Sequence, residues 1–309
     1  MKTAIFGGSG FIGRALAEFW LSQGHEVLIV TRGGAGGPRW LREAAASKAL
    51  LTSVTWAELE SSPSRLEGTS TIVNLAGASL NQRWSKPTKR RILESRLEST
   101  RAVARAVERM NRKPEVVLQG SAVGIYGTSF TEVFAENSAV PFPPSDFLAE
   151  VTTAWEETAD REFRSVRVVK LRTGVVLGLD GGAYPLMRLP YLLGIGGSIG
   201  SGKQWVPWIH LQDMVRLIDY CATHPEVHGP VNAVSPQPVT NLEFGRTVCR
   251  VHRRPFWLPL PATVLRTVLG EMSLLLLEGQ KVVPHAALDA GFAFAFPDLE
   301  SAVADLKKS

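Results

Sequence analysis

A glycine-rich turn near the N-terminus limits the possible folds of this chain more than any other feature. The β-prone apolar run 3–6 leads into residues 7–13, which read Gly-Gly-Ser-Gly-Phe-Ile-Gly. A helical stretch at 15–21 and a second apolar run at 27–30 follow. Strand, glycine turn, helix and strand within about 30 residues form the repeating unit of a parallel, doubly wound sheet. The N-terminal sequence therefore predicts an α/β fold.

The same alternation continues along the chain. Strand-like and helical stretches follow one another at 54–56, 71–75, 86–112, 116–118, 151–163, 166–171, 213–222 and 231–234. Strands separated by helices predict a mostly parallel sheet with helices on both faces. Residues 178–202 are rich in Gly and Pro, which predicts a loop. The last 70 residues mix prolines with helical stretches such as 262–269, which predicts a smaller, mostly helical C-terminal lobe.

Composition and charge exclude several classes of protein. The 309 residues are 45% hydrophobic and 20% charged, which excludes a disordered or fibrous chain. The two cysteines exclude a disulfide framework and are typical of a reducing cytosol. Prolines and charges interrupt the apolar stretch 256–277, so we expect no spanning helix, no membrane partner and a cytoplasmic location.

The basic character of the chain belongs to one region. The net charge is +5, and 83–113 alone contains 11 Lys plus Arg against three acids. Arg101, Arg105 and Arg109 repeat every four residues, which is typical of a solvated helix face. We therefore expect no nucleic-acid partner.

The glycine turn also has a chemical interpretation. Gly7, Gly10 and Gly13 match GxxGxxG, and Gly8 with the last two matches GxGxxG. Glycines let the backbone approach a pyrophosphate, and the following helix N-terminus offers N–H groups and a positive dipole. After a strand and before a helix, this pattern predicts a dinucleotide site. The alternative is a turn that only packs the helix on the strand.

The end of the second strand indicates which dinucleotide is bound. NAD-binding proteins place an acid about 20 residues after the glycines, on the ribose 2′-hydroxyl. Here Thr31-Arg32-Gly33 follows the strand. Arg32, with Arg39 as a second candidate, could meet a 2′-phosphate, which favours NADP. The alternative for Arg32 is a solvated loop arginine.

Three other patterns favour ordinary structural roles. Residues 197–203 spell GxxxxGK, but Gln204 replaces the hydroxyl that an ATP site needs and Pro207 opposes the helix. His224 and His228 flank Pro225, so the sequence predicts no metal site. His210, beside Trp208, favours a structural hydrogen bond.

Several segments carry a resemblance to a known family. They are Asn-Leu-Ala-Gly at 74–77, Ser-Arg-Leu-Glu-Ser-Thr at 95–100, 121–127, Leu-Arg-Thr-Gly-Val-Val-Leu-Gly at 171–178, Pro-Trp-Ile-His at 207–210 and Leu-Glu-Gly-Gln-Lys-Val at 277–282. With the glycine turn, they resemble the short-chain dehydrogenase/reductase superfamily. More closely, they resemble its extended, NAD(P)-dependent epimerase/dehydratase-like branch. Closest is an atypical subgroup of epimerase-family proteins, some of which carry a cell-division-inhibitor label.

The change in sequence character after Leu177 predicts a nucleotide-binding Rossmann domain at 1–177, to which 206–234 returns, and a smaller substrate-side lobe formed by 178–205 and 235–309. The resemblance implies the ligands of both parts. The implied cofactor is NADP or NADPH, and the implied contacts are Gly7, Ser9, Gly10, Phe11, Ile12 and Gly13 at the pyrophosphate, Thr31 and Arg32 at the adenosine phosphate, Leu75, Ala76 and Gly77 at the ribose, Arg96 on the adenine side and Val176 near the nicotinamide. The implied substrate is a small molecule, such as a nucleotide sugar or another carbonyl or hydroxyl compound, and the implied assembly a monomer or homodimer.

The catalytic centre departs from the pattern of these relatives, which use a Tyr-x-x-x-Lys pair on one helix. None of the four tyrosines here has a lysine four residues later, and 147–156 contains neither residue type. Ser121 and Tyr126 are the remaining catalytic candidates, although Tyr126 could equally form a wall of the cofactor pocket. Tyr184 with Arg188 is an alternative acid pair, but we expect it on a loop, which is a poor platform.

Two functions stay open at this point. The first is an NADP(H)-dependent oxidoreductase or epimerase-like enzyme acting on an unidentified small molecule. The second is a regulatory or redox-sensing protein that binds NADP(H) without turnover.

Overall fold

The computed structural model describes residues 1–33, 40 and 50–308, so the candidate Arg39 lies outside the described residues. Seven parallel strands form one sheet, in the order β3-β2-β1-β4-β5-β7-β11. Their bounds are β1 Lys2–Phe6, β2 Glu26–Thr31, β3 Leu51–Thr55, β4 Thr71–Asn74, β5 Val116–Ala122, β7 Arg167–Thr173 and β11 Gly229–Ala233. Three pairs of short strands lie beside it: β6 Val133–Phe134 with β13 Lys281–Val282, β8 Val175–Leu177 with β10 Trp208–His210, and β9 Trp205–Val206 with β12 Val239–Thr240.

Helices cover both faces of the sheet and build the C-terminal lobe. Their bounds are α1 Phe11–Ser22, α2 Trp56–Ser61, α3 Lys86–Glu108, α4 Phe147–Glu162, α5 Tyr184–Leu192, α6 Leu211–Thr223, α7 Asn241–His252, α8 Ala262–Leu269, α9 Leu274–Leu277, α10 His285–Asp289 and α11 Leu299–Lys308, with 3-10 turns at Pro63–Leu66, Val123–Tyr126 and Gly270–Ser273. Among the described helices, none combines the length and the apolar content that crossing a bilayer requires.

The strands divide their side chains between two cores. Ile5 packs with Leu16 of α1 and Ile218 of α6 on one face of the sheet, whereas Phe6 packs with Val103 of α3 on the other. Successive side chains of a strand point to opposite faces, so an uninterrupted apolar strand feeds both layers. The predicted doubly wound α/β fold with a helical C-terminal part is confirmed.

One local prediction was wrong. Residues 178–202 were expected to form a loop, but they contain α5. Pro185 occupies the first turn of α5, where a missing N–H costs nothing, and the helix ends two residues after Pro190. Tyr184 and Arg188 therefore lie on a helix. The predicted return of 206–234 to the main sheet agrees with β11, which pairs with β7 at the edge of that sheet. The division of the chain into two domains stays a prediction.

Candidate functional site

The glycine turn is packed so tightly that Gly7 and Gly13 leave no room for a side chain. Gly7 has a φ of +81°, and a Cβ there would lie 2.9 Å from the backbone nitrogen of Ala76. A Cβ at Gly13 would lie 2.6 Å from the Cα of Gly8 and 2.7 Å from the carbonyl oxygen of Gly7. The first turn of α1 thus packs directly on the turn that precedes it, and the glycines are a steric requirement.

The N-terminus of α1 is open to an anion. Its N-cap is Gly10, which offers no side-chain cap, and its first turn contains no acidic residue. The helices α2, α3, α4 and α7 are capped by the side chains of Thr55, Ser85, Asp146 and Thr240, whereas α5 and α8 lack a side-chain cap as α1 does but do not begin within a GxGxxG pattern. The first N–H groups of a helix need partners, and together with the helix dipole they attract negative charge. This end of α1 therefore fits a phosphate group.

The loop after β8 closes over the start of α1. An added Cβ at Gly178 would lie 2.5 Å from the Phe11 ring, and one at Gly181 would lie 2.9 Å from it. Val176 lies in β8, pairs with Ile209 of β10 and is 7% exposed. The structure therefore brings the end of β8 to the glycine turn, and the predicted contact of Val176 with the nicotinamide side stays a prediction.

The end of β2 lies beside the same turn. The amide of Gly7 donates a hydrogen bond to the carbonyl of Val30 at 3.3 Å. Thr31 is buried and Arg32 is exposed at this carboxyl edge of the sheet. Glu26 is the only acid in β2, and it lies at the opposite end of the strand. Arg32 is thus a cation at the position where an NAD-specific site has an acid.

The loop after β4 is fixed by α3. The amide of Ala78 donates to the Oγ of Ser95 at 2.9 Å, and the Oγ of Ser99 donates to the carbonyl of Ala76 at 3.1 Å. The guanidinium of Arg96 donates to the carbonyl of Ala78 at 3.1 Å. The Ser-Arg-Leu-Glu-Ser-Thr segment is therefore a clamp on residues 75–78, which are the predicted ribose contacts.

Arg96 lies at the centre of this clamp. Its guanidinium stands 5.1 Å from the centre of the Trp155 ring, and a Cβ at Gly77 would lie 3.3 Å from its side chain. Burial lowers the pKa of Arg96 to about 10, which still leaves it charged at neutral pH. The structure thus places a cation against the predicted ribose contacts. The predicted contact with the adenine side stays a prediction.

A buried charged network lies behind β5. Ser121 donates to the Oε1 of Glu156 at 2.6 Å. Arg172 on β7 holds the Glu156 carboxylate through two bonds of 2.8 and 2.9 Å. Burial alone would raise the pKa of Glu156, but the hydrogen bonds and charge of Arg172, helped by Ser121, hold it below its ordinary value. The inward face of α4 therefore presents a carboxylate in the segment 147–156, where the resemblance led us to expect a Tyr-x-x-x-Lys pair and the sequence has none.

Tyr126 extends this network toward the sheet edge. Its hydroxyl donates to the Oδ1 of Asn232 at 2.8 Å and accepts a bond from Arg172 at 2.9 Å. The side chain is 1% exposed and its ring stacks on Phe134. Burial raises the pKa of Tyr126, so the phenol stays protonated at neutral pH. These contacts favour the interpretation of Tyr126 as a wall residue, and its catalytic role stays a prediction.

The C-terminal lobe is attached to the turn that contains Tyr126. The side-chain amide of Gln280 donates to the carbonyl of Val123 at 2.9 Å, in a buried position. Beside it, the amide of Ser129 donates to the carbonyl of Gly279 at 2.9 Å, and β13 pairs with β6. The Leu-Glu-Gly-Gln-Lys-Val segment therefore positions the 3-10 turn Val123–Tyr126.

We expect Gln280→Ala to lower the free energy of unfolding by about 1–3 kcal/mol, because it removes a buried hydrogen bond to the carbonyl of Val123 and leaves a cavity in place of the side chain. Gln237→Ala, which removes an exposed side chain, is the matched control and should change stability by about 0.5 kcal/mol or less. Urea unfolding at neutral pH measures both. Equal values for the two variants would contradict a positioning role for Gln280.

Four residues of this site were missed by sequence reasoning: Glu156, Arg172, Asn232 and Gln280. Arg172 and Gln280 lie inside segments already singled out, and Glu156 lies in the segment searched for a Tyr and Lys pair. The segments that contain Arg172, Gln280 and Glu156 could be identified from the sequence, but their hydrogen-bond partners could not. His210 behaves as expected, because its Nδ1 accepts the amide of Gln212 at 3.2 Å and caps α6.

Two family models match the chain. Residues 3–234 match the NAD dependent epimerase/dehydratase family, and residues 260–306 match a domain of unknown function, DUF1731. The first match covers the whole sheet and the glycine turn. The second covers α8 to α11, including the Leu-Glu-Gly-Gln-Lys-Val segment.

Relatives of known sequence and structure align over nearly the full chain. Epimerase family protein YfhF of Bacillus subtilis is 41% identical over 308 residues, covering 99% of this chain and 98% of the relative. A crystal structure of human epimerase family protein SDR39U1 (isoform 2) with NADPH is 36% identical, covers 100% of this chain and 99% of that one, and has a TM-score of 0.89. A nucleoside-diphosphate sugar epimerase from Corynebacterium glutamicum is 28% identical, covers 98% of this chain and 57% of that one, and has a TM-score of 0.76.

Proposed function

The chain belongs to the NAD dependent epimerase/dehydratase family, and on that premise we propose that it binds NADP(H) and acts as an epimerase- or oxidoreductase-like protein on a small molecule. The observation that carries the proposal is the glycine turn with the uncapped N-terminus of α1. The human relative was crystallised with NADPH, which supports the same cofactor here. A nucleotide sugar or another carbonyl or hydroxyl compound is the proposed substrate class.

The residues present fit a dinucleotide along the carboxyl edge of the sheet. Residues 7–13 would hold the pyrophosphate, Thr31 and Arg32 the adenosine phosphate, 75–77 the ribose, Arg96 the adenine side and Val176 the nicotinamide side. When bound, NADP(H) supplies or accepts a hydride. The chain's own part is to bind and orient it, through N–H groups at α1 and through the loop clamped by α3.

Binding is tested by titrating the full-length protein with NADPH, NADP, NADH and NAD in a calorimeter. We expect saturable binding with a preference for the two phosphorylated forms. Absence of binding by NADPH and NADP would show that the proposal is wrong.

We expect Arg32→Ala to weaken NADPH binding by about tenfold to a hundredfold, because a charge-assisted bond to phosphate contributes about 1.5–3 kcal/mol. NADH lacks that phosphate, so its affinity should stay within about twofold. Arg105→Ala, which removes an exposed arginine of α3, is the matched control. An equal loss of affinity for NADPH and NADH would show that Arg32 does not bind the 2′-phosphate.

One observation favours the second function, an NADP(H)-binding regulator without turnover. The hydroxyls of Ser121 and Tyr126 both bond to protein partners, Glu156 and Asn232. A substrate group would have to displace one of these partners before either hydroxyl could exchange a proton with it. A network that supports the pocket wall needs no such exchange.

Hydride transfer separates the two functions. The nicotinamide absorbance is followed across a panel of reactants, for NADPH with aldehydes and ketones and for NADP with nucleotide sugars and other hydroxyl compounds. Epimerisation returns the hydride to the substrate, so the sugars are also analysed for a change of configuration. Each assay is run for the natural protein and for Ser121→Ala and Tyr126→Phe. Turnover that both substitutions abolish while NADPH affinity persists would establish the enzyme and the two catalytic roles. Tight NADPH binding without transfer across the panel would favour the regulator.

A further inference from the structure

An apolar stripe covers the outward side of α5. Leu186, Leu189 and the C-cap residue Leu193 repeat at three- and four-residue spacing, and they are 60%, 47% and 64% exposed. Tyr184 and Tyr191, on the inward side, are buried. A surface helix of a globular protein normally turns polar residues outward. This helix is apolar on both sides.

A neighbouring segment extends the stripe. The indole of Trp257 donates to the carbonyl of Gly194 at 2.9 Å, and its backbone amide donates to the carbonyl of Gly196 at 3.0 Å. These bonds join the two segments into one surface. We call it the apolar face, and its members are Leu186, Leu189, Leu193, Ile195, Trp257, Leu258 and Leu260, all of them between 37% and 64% exposed.

The two segments that form the apolar face carry charges of one sign. Residues 184–200 and 253–262 contain Arg188, Arg253 and Arg254 and no acidic residue. A second copy docked face to face would bring these arginines against one another, which is unfavourable. The complementary partner is therefore both apolar and anionic.

The shape of the apolar face favours docking on a lipid surface over binding of a partner's segment in a groove. Leu186, Leu193 and Trp257 keep more than half of their surface exposed, so they protrude instead of lining a groove. A tryptophan and leucines beside arginines are the composition of segments that lie at a membrane interface. We propose that the apolar face docks on an anionic lipid bilayer, with Trp257 and the leucines at headgroup level and Arg253 and Arg254 at lipid phosphates.

This proposal goes beyond NADP(H) binding and changes one expectation. The sequence predicted no membrane partner because 256–277 cannot span a bilayer. Peripheral docking needs no spanning segment, only an exposed apolar surface with cations beside it. The tertiary structure supplies that surface by joining α5 to the segment that contains Trp257.

The test is sedimentation of the full-length protein with two kinds of vesicle. One contains phosphatidylglycerol and phosphatidylcholine in equal parts, and the other contains phosphatidylcholine alone. We expect binding to the first and at least about fivefold weaker binding to the second, because the anionic headgroups attract the arginines. Leu193→Glu and Trp257→Glu should each reduce binding at least about tenfold.

Matched variants keep the test decisive. Leu288→Glu introduces the same charge at a leucine that is 45% exposed outside the apolar face, and it should bind like the natural protein. Arg254→Glu, an exposed charge reversal, should bind at least about fivefold more weakly, which supports the proposal without touching an apolar side chain.

Three results would overturn the proposal. The first is absence of sedimentation with anionic vesicles, and the second is binding that Leu193→Glu and Arg254→Glu leave unchanged. The third is a concentration-dependent dimer, seen without vesicles and dissolved by Leu193→Glu, because the face would then be an interface between copies.

Discussion

Gly13→Ala is expected to weaken NADPH binding at least about a hundredfold, which corresponds to about 2.7 kcal/mol. The new methyl group would lie 2.6 Å from the Cα of Gly8 and 2.7 Å from the carbonyl oxygen of Gly7. Both neighbours are backbone atoms, so the glycine turn itself must move. Alanine is a better helix former than glycine, so α1 would gain helix propensity while the anion site is lost. Calorimetric titration with NADPH measures the change.

Gly33→Ala is the matched control for this experiment. An added Cβ at Gly33 would meet no described atom within 4 Å, although the residue follows Arg32 directly. Its NADPH affinity should stay within about threefold of the natural protein. If Gly13→Ala is folded by circular dichroism and binds NADPH as tightly as Gly33→Ala does, the glycine turn is not the cofactor site.

Glu156→Gln is expected to lower the free energy of unfolding at pH 7 by about 3–5 kcal/mol, the range for breaking one side of a buried ion pair. The substitution keeps the shape of the side chain but leaves the charge of Arg172 without its carboxylate. Both side chains are only 6% exposed, so water cannot replace the lost partner. Ser121 loses its charged acceptor at the same time. Urea unfolding followed by circular dichroism measures the loss.

Glu94→Gln is the matched control. Glu94 pairs with Arg90 at 2.7 Å on the surface of α3, where the side chains are 46% and 79% exposed, and such pairs contribute about 0.5 kcal/mol or less. The double variant Glu156→Leu with Arg172→Met removes both buried charges and should cost less than the two single changes together. Equal losses for Glu156→Gln and Glu94→Gln would mean that the buried network does not stabilise the fold.

The pair of Glu156 and Arg172 also makes the free energy of unfolding depend on pH in the acid range. The folded-state pKa of Glu156 lies below its ordinary value, because the bonds and charge of Arg172 outweigh the effect of burial. Its contribution is therefore complete at neutral pH and is lost as the pH falls from about 4.3, the ordinary pKa of glutamate, through the lower folded pKa. Glu156→Gln should show a shallower fall of stability over that acid range. Parallel pH curves for the two proteins would contradict the assignment.

Local sequence patterns were enough to predict most helices and strands of the fold. The apolar runs, the glycine turn and the helical stretches each depend on neighbours within one element, and the strands they predicted pair in one parallel sheet. The failure at α5 has the same origin. Gly and Pro around 178–202 indicated a loop, but Pro185 in the first turn is compatible with a helix, and the buried face of α5 outweighs its weak propensity.

The proposed cofactor contact at Arg32 also depends on the sequence alone. The acid that NAD-binding proteins place after β2 stands at a fixed distance from the glycines, so Arg32 could be proposed without knowing any tertiary contact. The structural role of the Ser-Arg-Leu-Glu-Ser-Thr segment could not be predicted from the sequence. Ser95 and Ser99 bind residues 17 and 23 positions earlier in the chain, and only the packing of α3 on β4 brings them together.

The sequence alone thus determined the doubly wound sheet and the glycine turn before α1, and it led to the proposal of a phosphorylated dinucleotide, because each depends on residues close together in the chain. Only the tertiary structure decided which side chains surround Ser121 and Tyr126. Glu156 and Arg172 are 16 residues apart, Tyr126 and Asn232 are 106 apart, and Gln280 reaches Val123 across 157 residues. When the layers pack, each buried polar group needs a hydrogen-bond partner, and here that partner comes from a distant part of the chain. A pattern of neighbouring residues therefore cannot predict it.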